Sequence, residues 1–171
     1  MEIIKFGGYD WCVLDRKDGK ILLISKDLVE KRAYHTTQTV ITWADCDLRA
    51  YLNDDFYNKF SEIEKAKIIT TTNKNSVNSG NRSKGGTDTQ DNIFLLSFDE
   101  AKQYFKNDGE RTAKEWWWLR SPGGSTDGNS EMAARVYSSG YVDAMGVYVE
   151  IDGNNEFGGG GVRPALWLID E

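Results

Sequence analysis

Apolar side chains cluster over "IIKFGGYDWCVLD" and "KILLIS" at the start of the chain, with the polar stretch "RKDGK" between the two runs. Asp18 and Gly19 in that connector suit the positive φ angles of a hairpin turn, so the chain is predicted to open as antiparallel strands. From Thr42 the period changes. Leu48, Tyr51, Leu52, Phe56 and Phe60 recur at spacings of three and four, which lays them along one helical face with Thr42 as its cap. Ser61 with Glu64 forms a capping box that opens a second short helix running through Ile68. Both helices are expected to pack on the sheet.

Residues 71–92 hold one apolar side chain, Val77, among Asn, Ser, Thr, Gly and Lys. That is too little to offset the entropy of ordering them in a core, and predicts a long exposed loop. "IFLLS" then reads as a buried strand. Ser97 with Glu100 makes another capping box, leading a short helix that carries Ala101, Tyr104 and Phe105 and stops at Gly109. From Trp116 onward the pattern is strands and turns, punctuated by Pro122, Gly123 and later glycines, so the last third is expected to be a β meander. The three helical segments share no common spacing, and no repeat is present.

Within that last third the two ends differ from the middle. "WWWLRSPG" at one end and "VRPALWL" at the other are rich in large apolar side chains, whereas the residues between them are mostly Gly, Ser, Tyr, Asp, Asn and Val. Arg120 and Arg163 sit inside the two aromatic ends. A guanidinium in such a place stacks on tryptophan faces and donates to several carbonyls, which would fasten both ends of the middle segment to the body. The sharper alternative, a catalytic or ligand clamp, finds no nucleophile or acid pair beside either arginine.

Composition narrows the function. The chain has 171 residues, enough for one domain with a substantial core, and its net charge of −6 comes from interspersed signs without a basic stripe. Nucleic acid is therefore not an expected partner. No apolar run approaches the about 20 residues of a membrane span, and "MEIIKFGGYDW" lacks the basic and apolar regions of an export signal. Cys12 and Cys46 are too few for a disulfide framework and suit small buried hydrophobes. His35 is the one histidine, which removes every multi-histidine metal site and leaves a structural or solvent-exposed role for it. Asp152, Asn154 and Glu156 alternate like the start of a Ca²⁺ loop, yet Phe157 and Arg163 stand where an EF-hand needs glycine and a bidentate acid. The stretch 127–131 fails the same test. A looser Ca²⁺ site stays open, and no other cofactor is expected. "GNRSKGGT" has Gly86 where a phosphate loop requires lysine, and "NRS" from Asn81 is formally a glycosylation acceptor.

The segments "WWWLRSPGG" and "GVRPALWL", with "FGGYDWCVLD", "LRAYLNDDFYNKFS" and "NIFLLSFDEAKQYF" upstream, closely resemble a bacterial family of uncharacterised domains common in gut Firmicutes. That family is in turn similar to the C-type-lectin-like fold of the formylglycine-generating-enzyme superfamily, which includes the variable proteins of diversity-generating retroelements. The resemblance implies a binding scaffold whose C-terminal segment displays variable side chains. It does not carry over the catalysis of formylglycine-generating enzymes, because no cysteine follows Cys46. Sulfoxide-forming iron enzymes need several histidines, and the sugar motifs of Ca²⁺-dependent lectins are missing too.

Retroelement diversification randomises adenines in Asn codons, which yields sets such as Asn, Tyr, Ser, Asp, Gly, Ala, Val and Arg. "AARVYSSGYVDAMGVY" fits, with Arg135, Tyr137, Ser138, Ser139, Tyr141, Asp143, Ala144, Val147 and Tyr148 as candidate ligand-binding positions. Met145, Glu150 and Glu156 do not arise that way. Tyrosine and serine also suit a binding surface, since tyrosine brings large area at low entropy cost. The expectation is a single α+β domain over residues 1–171, C-type-lectin-like, with two or three helices on a twisted antiparallel sheet. Its terminal strands lie close together, and an irregular C-terminal half displays residues 123–161. Trp11, Trp117, Leu119, Leu166 and Trp167 should be buried, and Tyr137, Ser139 and Tyr141 should share one strand face opposite Val136. The expected function is non-catalytic binding of a protein or cell-surface ligand. The alternatives are an enzyme of the formylglycine-generating superfamily with an unfamiliar site, and a structural cell-envelope domain.

Overall fold

The computed structural model describes residues 1–124, 131–154 and 160–170. Strands β1 (Ile3–Phe6), β2 (Tyr9–Lys17) and β3 (Lys20–Ser25) form an antiparallel meander. Its second turn is the expected one, with Asp18 at φ 52° and Gly19 at φ 70°. A short β4 (Glu30–Lys31) precedes a 3₁₀ turn over Trp43–Asp45.

The predicted amphipathic helix is present but segmented. It comprises α1 (Asp47–Tyr51), a π-helical turn over Leu52–Phe56 and a 3₁₀ turn over Tyr57–Lys59. Leu48, Leu52, Phe56 and Phe60 are buried as their spacing required. Thr42 makes no side-chain cap, and the Cys46 sulfur accepts from the Arg49 amide instead. Helix α2 (Glu62–Lys65) opens with the expected Ser61–Glu64 capping box. It ends earlier than its pattern suggested, because Ile68 belongs to β5 (Ile68–Ile69).

Strands β6 (Thr71–Asn73) and β7 (Thr89–Asp91) pair with each other, and α3 (Phe98–Tyr104) starts at the Ser97–Glu100 capping box. Gly109 does not end that helix. It lies inside a further turn, α4 (Asp108–Arg111), capped by the Asn107 side chain. The remaining strands are β8 (Trp117–Pro122), β9 (Met132–Val136), β10 (Val142–Tyr148), β11 (Gly161–Val162) and β12 (Ala165–Ile169).

Two five-stranded sheets result, where a single sheet was expected, with strand orders β1-β2-β3-β12-β5 and β10-β9-β8-β11-β4. The chain crosses between them at Arg163 and Pro164. There the lack of a proline N–H costs nothing, and the Pro164 carbonyl accepts from the Ser25 amide at 2.9 Å. Because β12 pairs antiparallel with β3, the two ends of the chain share a sheet. The architecture is thus α+β, dominated by strands with a few short helices.

One core joins the sheets. Trp11, Trp117, Leu119, Leu166 and Trp167 are all buried, together with Trp43, Trp118, Tyr34 and Phe56. Replacing Trp117 by Ala should lower stability by about 3–5 kcal/mol, as for other fully buried large aromatics. Ile3→Ala, on the exposed edge strand, should change it by less than about 0.5 kcal/mol. Denaturant midpoints of the two variants provide the check.

Candidate functional site

Strands β8, β9 and β10 form the predicted meander, with Val142 opposite Val136 and Asp143 opposite Arg135. The register shifts between Asp143 and Val147, where Gly146 takes φ 68°. The chain reverses through Ser138, Ser139 and Gly140, closed by bonds from the Tyr137 amide to the Tyr141 carbonyl (2.9 Å) and from the Gly140 amide to the Tyr137 carbonyl (2.8 Å). A three-residue hairpin loop of this kind needs a left-handed last position, and Gly140 supplies it at φ 89°.

Gly140 also allows a close approach. A Cβ there would sit 1.8 Å from the Asp108 carbonyl oxygen, so the tip lies directly against α4. From α4 the buried Arg111 donates to the Gly140 carbonyl at 2.8 Å and to the Ala101 carbonyl at 3.3 Å, and it is paired with the Asp108 carboxylate. The hairpin tip is therefore docked at its most distal backbone position. Nothing in "KNDGERTAKE" signals this role, and Arg111 was not legible as a site residue.

The candidate positions fall into two groups. Tyr137 (38 % exposed) and Tyr141 (59 %) project from the tip with ring centroids 6.0 Å apart, and Ser138 and Ser139 beside them are exposed. Tyr148 is exposed as well, but it pairs with Met132 at the far end of the ladder, on the order of 20 Å along the strand from Tyr141. Arg135, Asp143, Ala144 and Val147 are not freely displayed. The Arg135 side chain lies between the Trp116 and Tyr137 rings, 5.1 and 4.5 Å from their centroids, and donates to the Tyr137 hydroxyl (3.0 Å) and the Asp143 carboxylate (3.2 Å). Their charges are spent on one another, and the pair orients Tyr137. Ala144 faces Gly80, and Val147 packs against the core. The expected strand parity of Tyr137, Ser139 and Tyr141 is corrected too, since these residues form the turn itself.

The polar stretch 71–92 is not simply an exposed loop. Asn73, Asn78, Asn81, Ser83, Thr89 and Asp91 are buried. Three of them serve as backbone partners: Asn78 donates to the Pro122 carbonyl (3.0 Å), Ser83 to Gly123 (2.9 Å), and Asn81 to Gly124 (3.2 Å) and Ala144 (2.8 Å). Asn73 and Thr89 instead donate to the Asp91 carboxylate, at 2.8 and 2.7 Å. Hydrogen bonding, rather than apolar burial, orders this segment, and composition alone does not register that. Asn81, the formal glycosylation acceptor, is buried with its amide nitrogen donating to the Gly124 and Ala144 carbonyls.

Both arginines of the aromatic ends are structural. Arg120 donates to the Leu95 carbonyl (2.9 Å), the Asn75 amide oxygen (3.0 Å) and both Glu100 oxygens. Burial would push the Glu100 carboxyl up, but Arg120 and the Ser97 donors hold it below its ordinary value. Arg163 lies over the Trp117 and Phe105 rings and donates to the Ser25 and Arg111 carbonyls. His35 accepts from the Asp47 amide at 3.2 Å and sits 3.1 Å from the Asp47 carboxylate. Cys12 and Cys46 are buried free thiols, and burial pushes Cys46 up to about 12, so it stays protonated.

Asp152 accepts from the Asn154 amide and side chain, which closes a local turn. Glu156, Phe157 and most of 127–131 lie outside the described residues. Among the described residues no three His, Cys, Asp or Glu side chains are grouped to hold a metal, and no helix is long and apolar enough to cross a membrane.

Fold and site together define a two-sheet α+β domain with a docked, tyrosine-bearing hairpin tip. The model of a family described as a domain of unknown function, DUF6273, matches residues 18–169, and the chain belongs to that family. No curated protein and no solved structure matches it.

Two outcomes follow from this geometry. Gly140→Ala combines a left-handed φ with a backbone clash and should cost about 1–3 kcal/mol, read from the melting transition. Glu100→Gln should cost about 2–3 kcal/mol at neutral pH, because buried Arg120 loses an ionised partner that takes two bonds. The Glu100 value is lower in the folded state, so its contribution is present above the ordinary value of 4.5 and is lost as pH falls through the folded value. Wild type and variant should accordingly converge in acid, as a series of melts at falling pH would display.

Proposed function

We propose that this chain is a non-catalytic binding module that presents the β9–β10 tip to a protein or cell-surface ligand. The finer architectural reading, a C-type-lectin-like scaffold akin to retroelement variable proteins, belongs to the same proposal. One observation carries it: Tyr137 and Tyr141 are exposed side by side on a loop whose backbone is fastened by Gly140 and Arg111. Exposed aromatics on a fixed backbone lose little entropy on binding, which makes them efficient anchors. Ser138 and Ser139 add hydroxyls that can both donate and accept.

The recognition surface is narrower than the stretch 135–148. Arg135 and Asp143 act by holding Tyr137, whereas Ala144 and Val147 are committed to packing. Diversification, where it operates, is expected at 137, 138, 139 and 141, the positions that can change without disturbing the body. Among alleles from different isolates, variation should concentrate there and spare Gly140 and Arg111.

The direct experiment is flow-cytometric binding of fluorescently labelled domain to intact bacterial cells. Tyr137→Ala with Tyr141→Ala should reduce binding by about tenfold or more, as for the loss of two anchors. The melting curve should move little, because both side chains are exposed. Tyr148→Ala should leave binding intact. Undiminished binding by the double variant contradicts the reading, as does a stability loss on the scale of Trp117→Ala.

A further inference from the structure

A second region, built from other residues, has the form of a small-molecule site. Between α3 and β6 lies a cavity of about 340 Å³, within the range of ligand-binding clefts. Its floor is apolar, made by Leu22 and Trp167, which are paired across β3 and β12, together with Phe94 and Leu96. Tyr104 and Glu100 line it from α3, and Thr71 and Thr72 from β6.

Three lysines stand around this cleft. The chain as a whole carries −6, yet Lys17, Lys20 and Lys74 all line the cavity. The two carboxylates that also line it are Asp18, in the β2–β3 turn, and Glu100, both of whose oxygens are taken by Arg120. Lys17 stands 5.1 Å from the centre of the Trp167 ring, 3.7 Å from Asp15. Lys74 is paired with Asp88 at 2.6 Å. Among the described residues the Lys20 ammonium has no ion-pair partner and the Tyr104 hydroxyl no hydrogen-bond partner. Burial, with Glu100 and Asp15 nearby, keeps the Tyr104 hydroxyl above its ordinary value and hence a donor. One unpaired ammonium, two more lysines at the rim and a phenol hydroxyl beside an apolar floor suit a ligand with an anionic head and an apolar body.

We propose that this cleft binds a small amphipathic anion, its apolar or aromatic body resting on Leu22, Phe94, Leu96 and Trp167 and its carboxylate or phosphate held by Lys17, Lys20 and Lys74. The body accounts for the floor, and the head accounts for the lysines that gather at one cavity of an acidic protein. Binding here needs no covalent chemistry and is independent of the hairpin tip.

The test uses the Trp167 indole N–H resonance of ¹⁵N-labelled protein, assigned by its loss in Trp167→Phe. The probes are 3-phenylpropionate, phenyl phosphate, inorganic phosphate and the neutral 3-phenyl-1-propanol. At least one aromatic anion should shift the resonance saturably below about 1 mM, with the alcohol and inorganic phosphate about tenfold weaker or more. A preference between the two aromatic anions distinguishes a carboxylate from a phosphate ligand. Lys17→Gln with Lys20→Gln, both on the exposed rim, should weaken the anion by about tenfold or more while leaving the melting curve in place. The proposal is overturned by the absence of any shift with either aromatic anion up to about 10 mM, by equal affinity for the alcohol, or by an unchanged affinity in the folded double variant.

Discussion

The Arg120 guanidinium is buried, and it must find acceptors on every side or destabilise the fold it sits in. It finds them in three segments: the Glu100 carboxylate on α3, the Leu95 carbonyl in the extended stretch before it, and the Asn75 side chain and Lys74 carbonyl in the polar connection. Its own carbonyl accepts from the Tyr34 hydroxyl at 2.8 Å. The planar fork of a guanidinium fixes the relative placement of these segments more tightly than apolar contact would.

Arg163 extends the same logic toward the tip. It crosses from one sheet to the other and donates to the Arg111 carbonyl, which also accepts from the Trp117 indole. Arg111 in turn holds the Gly140 carbonyl. A continuous run of hydrogen bonds thus leads from the crossing between the sheets to the most distal point of the β9–β10 hairpin. Two exposed tyrosines on such a loop are an unusual use of apolar area unless something else covers them. Their backbone is fixed by the body, so their side chains are free to serve recognition at little cost to the fold.

Much of this was legible in the sequence, and the reasons differ by element. Capping boxes at Ser61 and Ser97 are local chemistry, and both were found where the residues placed them. The Asp18–Gly19 turn and the buried faces of the early helix follow from φ preference and period. The structural reading of Arg120 and Arg163 followed from their aromatic surroundings. What escaped were features set by partners distant in sequence. The helix around Leu52 is segmented, the sheet is two sheets, and the buried Asn78 and Asn81 are ordered by backbone carbonyls more than forty residues away. At the site, tyrosine exposure was legible from composition. The division between displayed residues and those like Arg135 and Ala144 that are held by neighbours was not, because a turn and a bulge break the strand alternation on which the reading relied.

The central claim, a tip preorganised by the body, is tested most directly by native-state amide hydrogen exchange. The Tyr137 and Gly140 amides close the tip through the Tyr141 and Tyr137 carbonyls. They are predicted to be protected to a degree comparable with the β8–β9 ladder, even though the side chains around them are exposed. Exchange at these two amides as fast as in an unstructured peptide, with the ladder still protected, would show that the tip opens independently and would contradict the account.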